Sequence, residues 1–143
     1  MVDYTKVLFI CKANVGRSQM AEAIFSSMAK GKATAVSAGV GPGRYEGKMI
    51  KEAGPNVTEC MRAIGLDVSG NVSKKLTEAM AKDADIVVAM VNKNMLPSYL
   101  QNSVKLKLWD IKDPKFMDYA GHVEIRNQIY GKVKDLVKGL NLD

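Results

Sequence analysis

The chain has 143 residues, 47% of them hydrophobic, enough for one compact domain over residues 1–143 to bury its own core without covalent staples. Two cysteines, Cys11 and Cys60, are too few for a disulfide framework, and neither a signal peptide nor an apolar run of membrane-spanning length is visible, so free thiols, a cytoplasmic location and no membrane partner are expected. The formal charge of +6 favours an anionic partner, but the lysines are scattered, with Lys74-Lys75 and the pair Lys105 and Lys107 as the only candidate clusters, so a solvated surface and no nucleic-acid partner are expected.

In chain order, Lys6-Val7-Leu8-Phe9-Ile10 is a short apolar run of the kind a buried parallel strand shows, and it stops at Cys11. A helix opens at Ser18, which is able to cap it, with Met20, Ile24, Phe25 and Met28 as its apolar stripe. Thr34 to Ala38 reads as a second strand, followed by a loop holding Gly41, Pro42, Gly43 and Gly47. Asn56 to Ile64 reads as a helix, because Val57, Cys60, Met61 and Ile64 share a face and Gly65 can end it. That face makes Cys60 a core residue. Leu76 to Lys82 is a further short helix, Asp85 to Met90 the third strand and Leu106 to Trp109 the fourth. The last helix, Tyr119 to Leu140, carries Val123, Ile125, Ile129, Val133, Leu136, Val137 and Leu140 at mostly helical spacing, with His122 exposed at its start. Strands alternating with helices predict a doubly wound α/β domain, whose ligands gather beyond the carboxyl ends of its parallel strands. Cys11, Asn92 and Asp110 fall at such ends.

The segment Cys11-Lys12-Ala13-Asn14-Val15-Gly16-Arg17-Ser18 lies between a buried strand and a helix N-terminus. A chance Cys-x5-Arg is expected only about 0.06 times in a chain of this composition, so the spacing carries information, and its position carries more. Unpaired amides and the positive end of the helix dipole stabilise an anion there, the Cys11 thiolate included. The amides of Lys12, Ala13, Asn14, Val15 and Gly16 suit the oxygens of a tetrahedral dianion, and better still the charge spread over a phosphoryl transition state. Arg17 adds a planar, two-pronged donor. Ser18 can donate to the sulfur, and Asn14 tolerates left-handed backbone angles and braces the loop through its side chain. The competing reading, Cys11 as a small core hydrophobe and Arg17 as a surface charge, leaves their placement unexplained. A nucleotide-binding P-loop is excluded because no Gly-Lys-Ser/Thr follows a glycine-rich turn, and one histidine with two distant cysteines gives no metal-ligand spacing.

An acid must protonate the leaving oxygen. Asp113, stiffened by the following Pro114, is the first choice and Asp110 its rival; taken alone, Asp-Pro would pass as an ordinary turn.

The stretches Val7 to Cys11 and Arg17 to Ala23, with Ser37-Ala38-Gly39 and Asp113-Pro114, resemble the low-molecular-weight protein tyrosine phosphatases over nearly the whole chain. The resemblance implies a three-layer domain, a four-stranded parallel sheet with helices on both faces. It also implies Cys11, Arg17 and Asp113 as the catalytic set, with Asn14 and Ser18 in support and no cofactor or metal. Four positions depart from the family pattern. Gly16 replaces a second cysteine that many members carry, Ala13 replaces the usual glycine although alanine resists positive φ, and Lys115-Phe116 replace two tyrosines. Aromatic packing on a substrate ring then rests on Phe116, with Tyr45 as a second wall.

The same scaffold hosts thioredoxin-coupled arsenate reductases, and Arg17-Ser18-Gln19-Met20-Ala21-Glu22 looks closer to their version of the loop. Asn14, Glu22, Ser37 and Asp67 also resemble the positions that bind potassium in some reductases. Met90 to Pro97, however, contains no cysteine where those reductases carry a pair, leaving Cys60 or an external thiol to resolve an adduct. Val15 suits an aromatic ring better than the threonine of phosphoarginine phosphatases. The expected activity is therefore a monomeric phosphatase acting on a phosphotyrosine protein or a small aryl phosphate. Arsenate reduction is the alternative, and a noncatalytic phosphoprotein-binding module is the third reading.

Overall fold

The computed structural model describes residues 4–142. Four strands, β1 (Thr5–Cys11), β2 (Ala33–Gly39), β3 (Ile86–Ala89) and β4 (Leu106–Leu108), form one parallel sheet in the order β2-β1-β3-β4. The central strand β1 alternates its side chains between two cores, as the pleat requires. Val7 and Phe9 face α1 (Arg17–Ala29), α3 (Pro55–Arg62) and α6 (Tyr119–Gly139), while Leu8 and Ile10 face α4 (Glu78–Asp83) and α5 (Ser98–Gln101). A single-turn helix, α2 (Ile50–Ala53), leads into α3. The result is the three-layer α/β arrangement expected from the sequence. Phe9 anchors the larger core, edge-on to Phe25 at 5.8 Å between ring centroids and tilted against Trp109 at 5.9 Å.

Three expectations need correction. Gly16, not Ser18, occupies the N-cap of α1, and no side chain caps that helix. The chain enters the helix at Arg17, so Ser18 lies inside the first turn with its hydroxyl turned back toward the loop. The helix expected to reach Ile64 stops at Arg62, because Gly65 at φ 80° reverses the chain and the Leu66 amide returns to the Met61 carbonyl at 3.0 Å. Ile64 is left at the surface, 36% exposed. His122 is buried, not exposed: it precedes Ile125 and Ile129 by three and seven positions, which places all three on the inward face of α6. Elsewhere the element boundaries differ from expectation by one or two residues, as where Thr77 caps α4 by accepting from the Met80 amide.

The register between β1 and β2 sets Cys11 opposite Gly39. The residues after Cys11 fold directly over that glycine. A Cβ on Gly39 would stand 2.6 Å from the Lys12 carbonyl oxygen and 2.9 Å from the Asn14 nitrogen. Both neighbours are backbone and cannot swing away. Gly39→Ala is therefore expected to lower stability by about 2 kcal/mol in chemical denaturation, through overpacking, and to displace the Cys11–Ser18 loop.

Candidate active site

The loop from Cys11 to Arg17 is shaped from behind by Asn14. This residue is fully buried and adopts a left-handed backbone, φ 55°. Its side-chain nitrogen donates to Ser18 Oγ at 2.7 Å and Ser37 Oγ at 2.9 Å. Its side-chain oxygen accepts from Gln19 Nε2 at 3.0 Å and from the Lys74 amide at 2.9 Å. A carboxamide offers two donor hydrogens and two lone pairs, and all are used. Ala13, despite replacing a glycine of the family pattern, is not among the residues with positive φ; the tight bend falls on Asn14 instead. Ser73 completes the rear wall by donating to the Ala13 carbonyl at 2.7 Å.

On the open side, the Cys11 sulfur accepts from the Asn14 amide at 3.2 Å and lies 2.9 Å from Ser18 Oγ. Ser18 already receives a hydrogen from Asn14, so its own proton is available to the sulfur. The helical ladder of α1 begins with the Met20 amide bonding the Gly16 carbonyl at 2.9 Å. The amides of Arg17, Ser18 and Gln19 precede it, at a helix end that no side chain caps.

Arg17 is 7% exposed and ties three segments together. Its Nη1 donates to the carbonyls of Met90, beyond β3, and of Ile111, beyond β4, the latter at 2.9 Å. Its Nη2 lies 3.5 Å from Asp113 Oδ2. The other Asp113 oxygen accepts from the Lys115 amide at 3.0 Å, so the carboxylate is oriented although half exposed. Asp110 lies outside this cleft and lines the neighbouring surface groove, as does Lys12.

A cleft of about 300 Å³ contains Cys11, Ala13, Val15, Gly16, Arg17 and Asp113 together. Val15 forms part of its wall and is pressed by the Gly54 backbone, where a Cβ would come within 2.8 Å of Val15 Cγ1. Tyr45 and His122 also line the cleft. Phe116 belongs to its mouth and not to its wall, since it is 93% exposed. Gly54, Ser73 and the Lys74 amide carry no local signal because they act across the fold, and Gly39, part of the Ser37-Ala38-Gly39 stretch, shows its contact with the loop only once β1 and β2 pair.

Cys60 belongs to a different environment. It is fully buried in the larger core, with its thiol directed at the Val57 carbonyl and Met20 Sδ. Burial pushes that thiol above the usual range. Two oxygens of the potassium-like set are already engaged within the protein. Both lone pairs of the Asn14 side-chain oxygen are occupied, and Asp67 Oδ1 accepts from the amide and hydroxyl of Ser69 at 2.9 and 2.6 Å.

A family model described as low molecular weight phosphotyrosine protein phosphatase matches residues 6–143. The glutaredoxin arsenate reductase of Synechocystis sp. is 28% identical over 92% of this chain and 95% of its own length. The low molecular weight protein-tyrosine-phosphatase YfkJ of Bacillus subtilis is 36% identical over 62% of this chain and 58% of its own. Among solved structures, the low molecular weight protein tyrosine phosphatase from T. tengcongensis superposes with a TM-score of 0.83 at 30% identity, covering 94% of this chain and 99% of that one.

The two thiols should differ in reactivity. In the native protein, iodoacetamide is expected to modify Cys11 and spare Cys60, with both modified in denaturant; peptide mass mapping reads the difference. Equal native labelling would contradict the separation of the two environments.

Proposed function

We propose that this chain, which belongs to the low molecular weight phosphotyrosine protein phosphatase family, hydrolyses aryl phosphate monoesters, phosphotyrosine among them, through a phosphocysteine on Cys11. The observation that carries this reading is the convergence of Cys11, Arg17 and Asp113 on one cleft, with two hydrogen-bond donors already aimed at the sulfur.

The substrate dianion takes the loop amides and the Arg17 guanidinium as donors, displacing the contact between Arg17 Nη2 and Asp113. Asp113, released from that contact, is the group that supplies a proton to the leaving oxygen. The Cys11 thiolate then attacks phosphorus as the bond to the aryl oxygen breaks, and Asp113 transfers its proton to that oxygen. In the second step Asp113, now a carboxylate, takes a proton from water, whose oxygen attacks phosphorus. The sulfur leaves with the Ser18 hydroxyl donating to it, and inorganic phosphate departs. Val15 and Tyr45 flank the space for an aromatic ring. No step calls for a metal ion.

Arsenate reduction remains the second reading, supported by the similarity to the Synechocystis sp. reductase over most of both chains. It requires two electrons from thiols. Cys60 is unsuited to supply them, being sealed in the core away from the cleft, so an external thiol would be the reductant.

Hydrolysis of p-nitrophenyl phosphate in the presence of a chelator tests the main reading. Cys11→Ser is expected to abolish turnover. Asp113→Ala is expected to lower kcat by about 10²- to 10³-fold on poor leaving groups and much less on good ones. If Asp110→Ala shows the leaving-group dependence instead, the acid has been misassigned. Arsenate-dependent consumption of a reduced thiol without phosphatase activity would favour the reductase, and phosphopeptide binding without turnover would favour a binding module.

A further inference from the structure

The mouth of the cleft is built by two segments far apart in the chain, the 3-10 turn Gly43–Tyr45 and the residues that follow Asp113-Pro114. The Arg44 guanidinium carbon lies 5.2 Å from the Tyr45 ring centroid, and its Nη2 donates to the Tyr45 hydroxyl at 3.3 Å. Lys115 Nζ stands 5.6 Å from the same centroid and 5.3 Å from that of Phe116. The rings hold both cations at the entrance through their electron-rich faces. Neither cation is paired with a carboxylate among the described residues. Asp113 is the one carboxylate lining the cleft among those residues, and Arg17 already faces it. The positive field is felt at the Tyr45 phenol, which is held below its usual range first by the hydrogen bond from Arg44, then by the charges of Arg44 and Lys115.

We propose that Arg44 and Lys115 form a second anion subsite, which takes the carboxylate of a residue flanking the phosphorylated aromatic side chain of an acidic peptide. The inference rests on the phosphatase reading above and names its substrate class. Two features favour a peptide over a small free ester. The Phe116 ring, 93% exposed at the mouth, offers apolar surface to a chain that continues past the phosphorylated residue. An acidic side chain also brings a methylene stem to lie on the aromatic surface while its carboxylate meets the two cations.

The test compares phosphotyrosine peptides that differ only in the flanking residue, Glu, Gln or Lys. With two exposed charge contacts, kcat/KM is expected to favour Glu over Lys by about 10-fold at low ionic strength and to approach parity near 1 M salt. The double substitution Arg44→Glu with Lys115→Glu is expected to invert the order in favour of Lys, a gain that misfolding could not produce. The same peptides are then measured for Kd on the Cys11→Ser protein. Absence of turnover in the native protein counts against the phosphatase reading. A Glu-to-Lys Kd ratio near one overturns the subsite. Free aryl phosphates with and without a ring carboxylate form the last arm: an equal preference there would overturn the peptide assignment, and its absence supports it.

Discussion

The Asn14 side chain is the constraint on which the site depends. A loop that closes around an anion must turn its amides inward, and the bend that achieves this places one residue in left-handed backbone, at a cost of roughly 1–2 kcal/mol for any residue with a Cβ. Asn14 takes that position and offsets the strain with four side-chain hydrogen bonds to Ser18, Ser37, Gln19 and Lys74. Removing the carboxamide would leave the Ser37 hydroxyl and the Lys74 amide without these partners, at about 1–3 kcal/mol for each group left unsatisfied, while Ser18 keeps Cys11 and Gln19 keeps the Asn14 and Val72 carbonyls. The same bonds decide the chemistry. Because Ser18 accepts from Asn14, its proton is left for the sulfur, and Gln19 and Lys74 fill the carboxamide oxygen.

Around that brace the cleft has two tiers with different physics. The lower tier is rigid: Cys11 at a strand end, Arg17 clamped to the carbonyls beyond β3 and β4, and Asp113 oriented by the Lys115 amide. The upper tier is exposed, made of Arg44, Tyr45, Lys115 and Phe116 from two surface segments. Under the proposed phosphatase activity, preorganised donors in the lower tier would serve a charge that develops during reaction, while screened contacts in the upper one would discriminate among substrates. Lys115 links the tiers, since its amide fixes the acid and its ammonium sits over the rings.

Cys11 and Arg17 are legible in the sequence because they share one short segment, whereas Asp113 lies far along the chain and reads there as one of two candidate acids. A buried strand ending at Cys11, five residues, then Arg17 at a helix start is a pattern that one-dimensional spacing can hold. The alternation of strands and helices likewise revealed the three-layer architecture. What could not be read is what the fold brings from a distance. Gly39, Ser73 and Lys74 shape the loop from positions that the sequence separates widely, and neither Ser73 nor Lys74 has a distinguishing neighbourhood of its own. Ser18 reads from the sequence both as a cap, because serine is common there, and as a donor to the sulfur; its hydroxyl takes only the second part, and the chain enters the helix without a side-chain cap. His122 was placed outside because polarity was weighed above its helical spacing from Ile125 and Ile129. Ile64 was placed inside because its apolar character outweighed the adjacent Gly65.

The central claim is that phosphorus is transferred to Cys11 before water removes it. Acid quenching of the protein during turnover of an aryl phosphate, followed by peptide mass spectrometry, tests it most directly. The account predicts a phosphoryl group on the peptide containing Cys11, at an occupancy that falls as substrate is exhausted. Steady product release with that peptide unmodified at every time point, or a phosphoryl group on another residue, would contradict it.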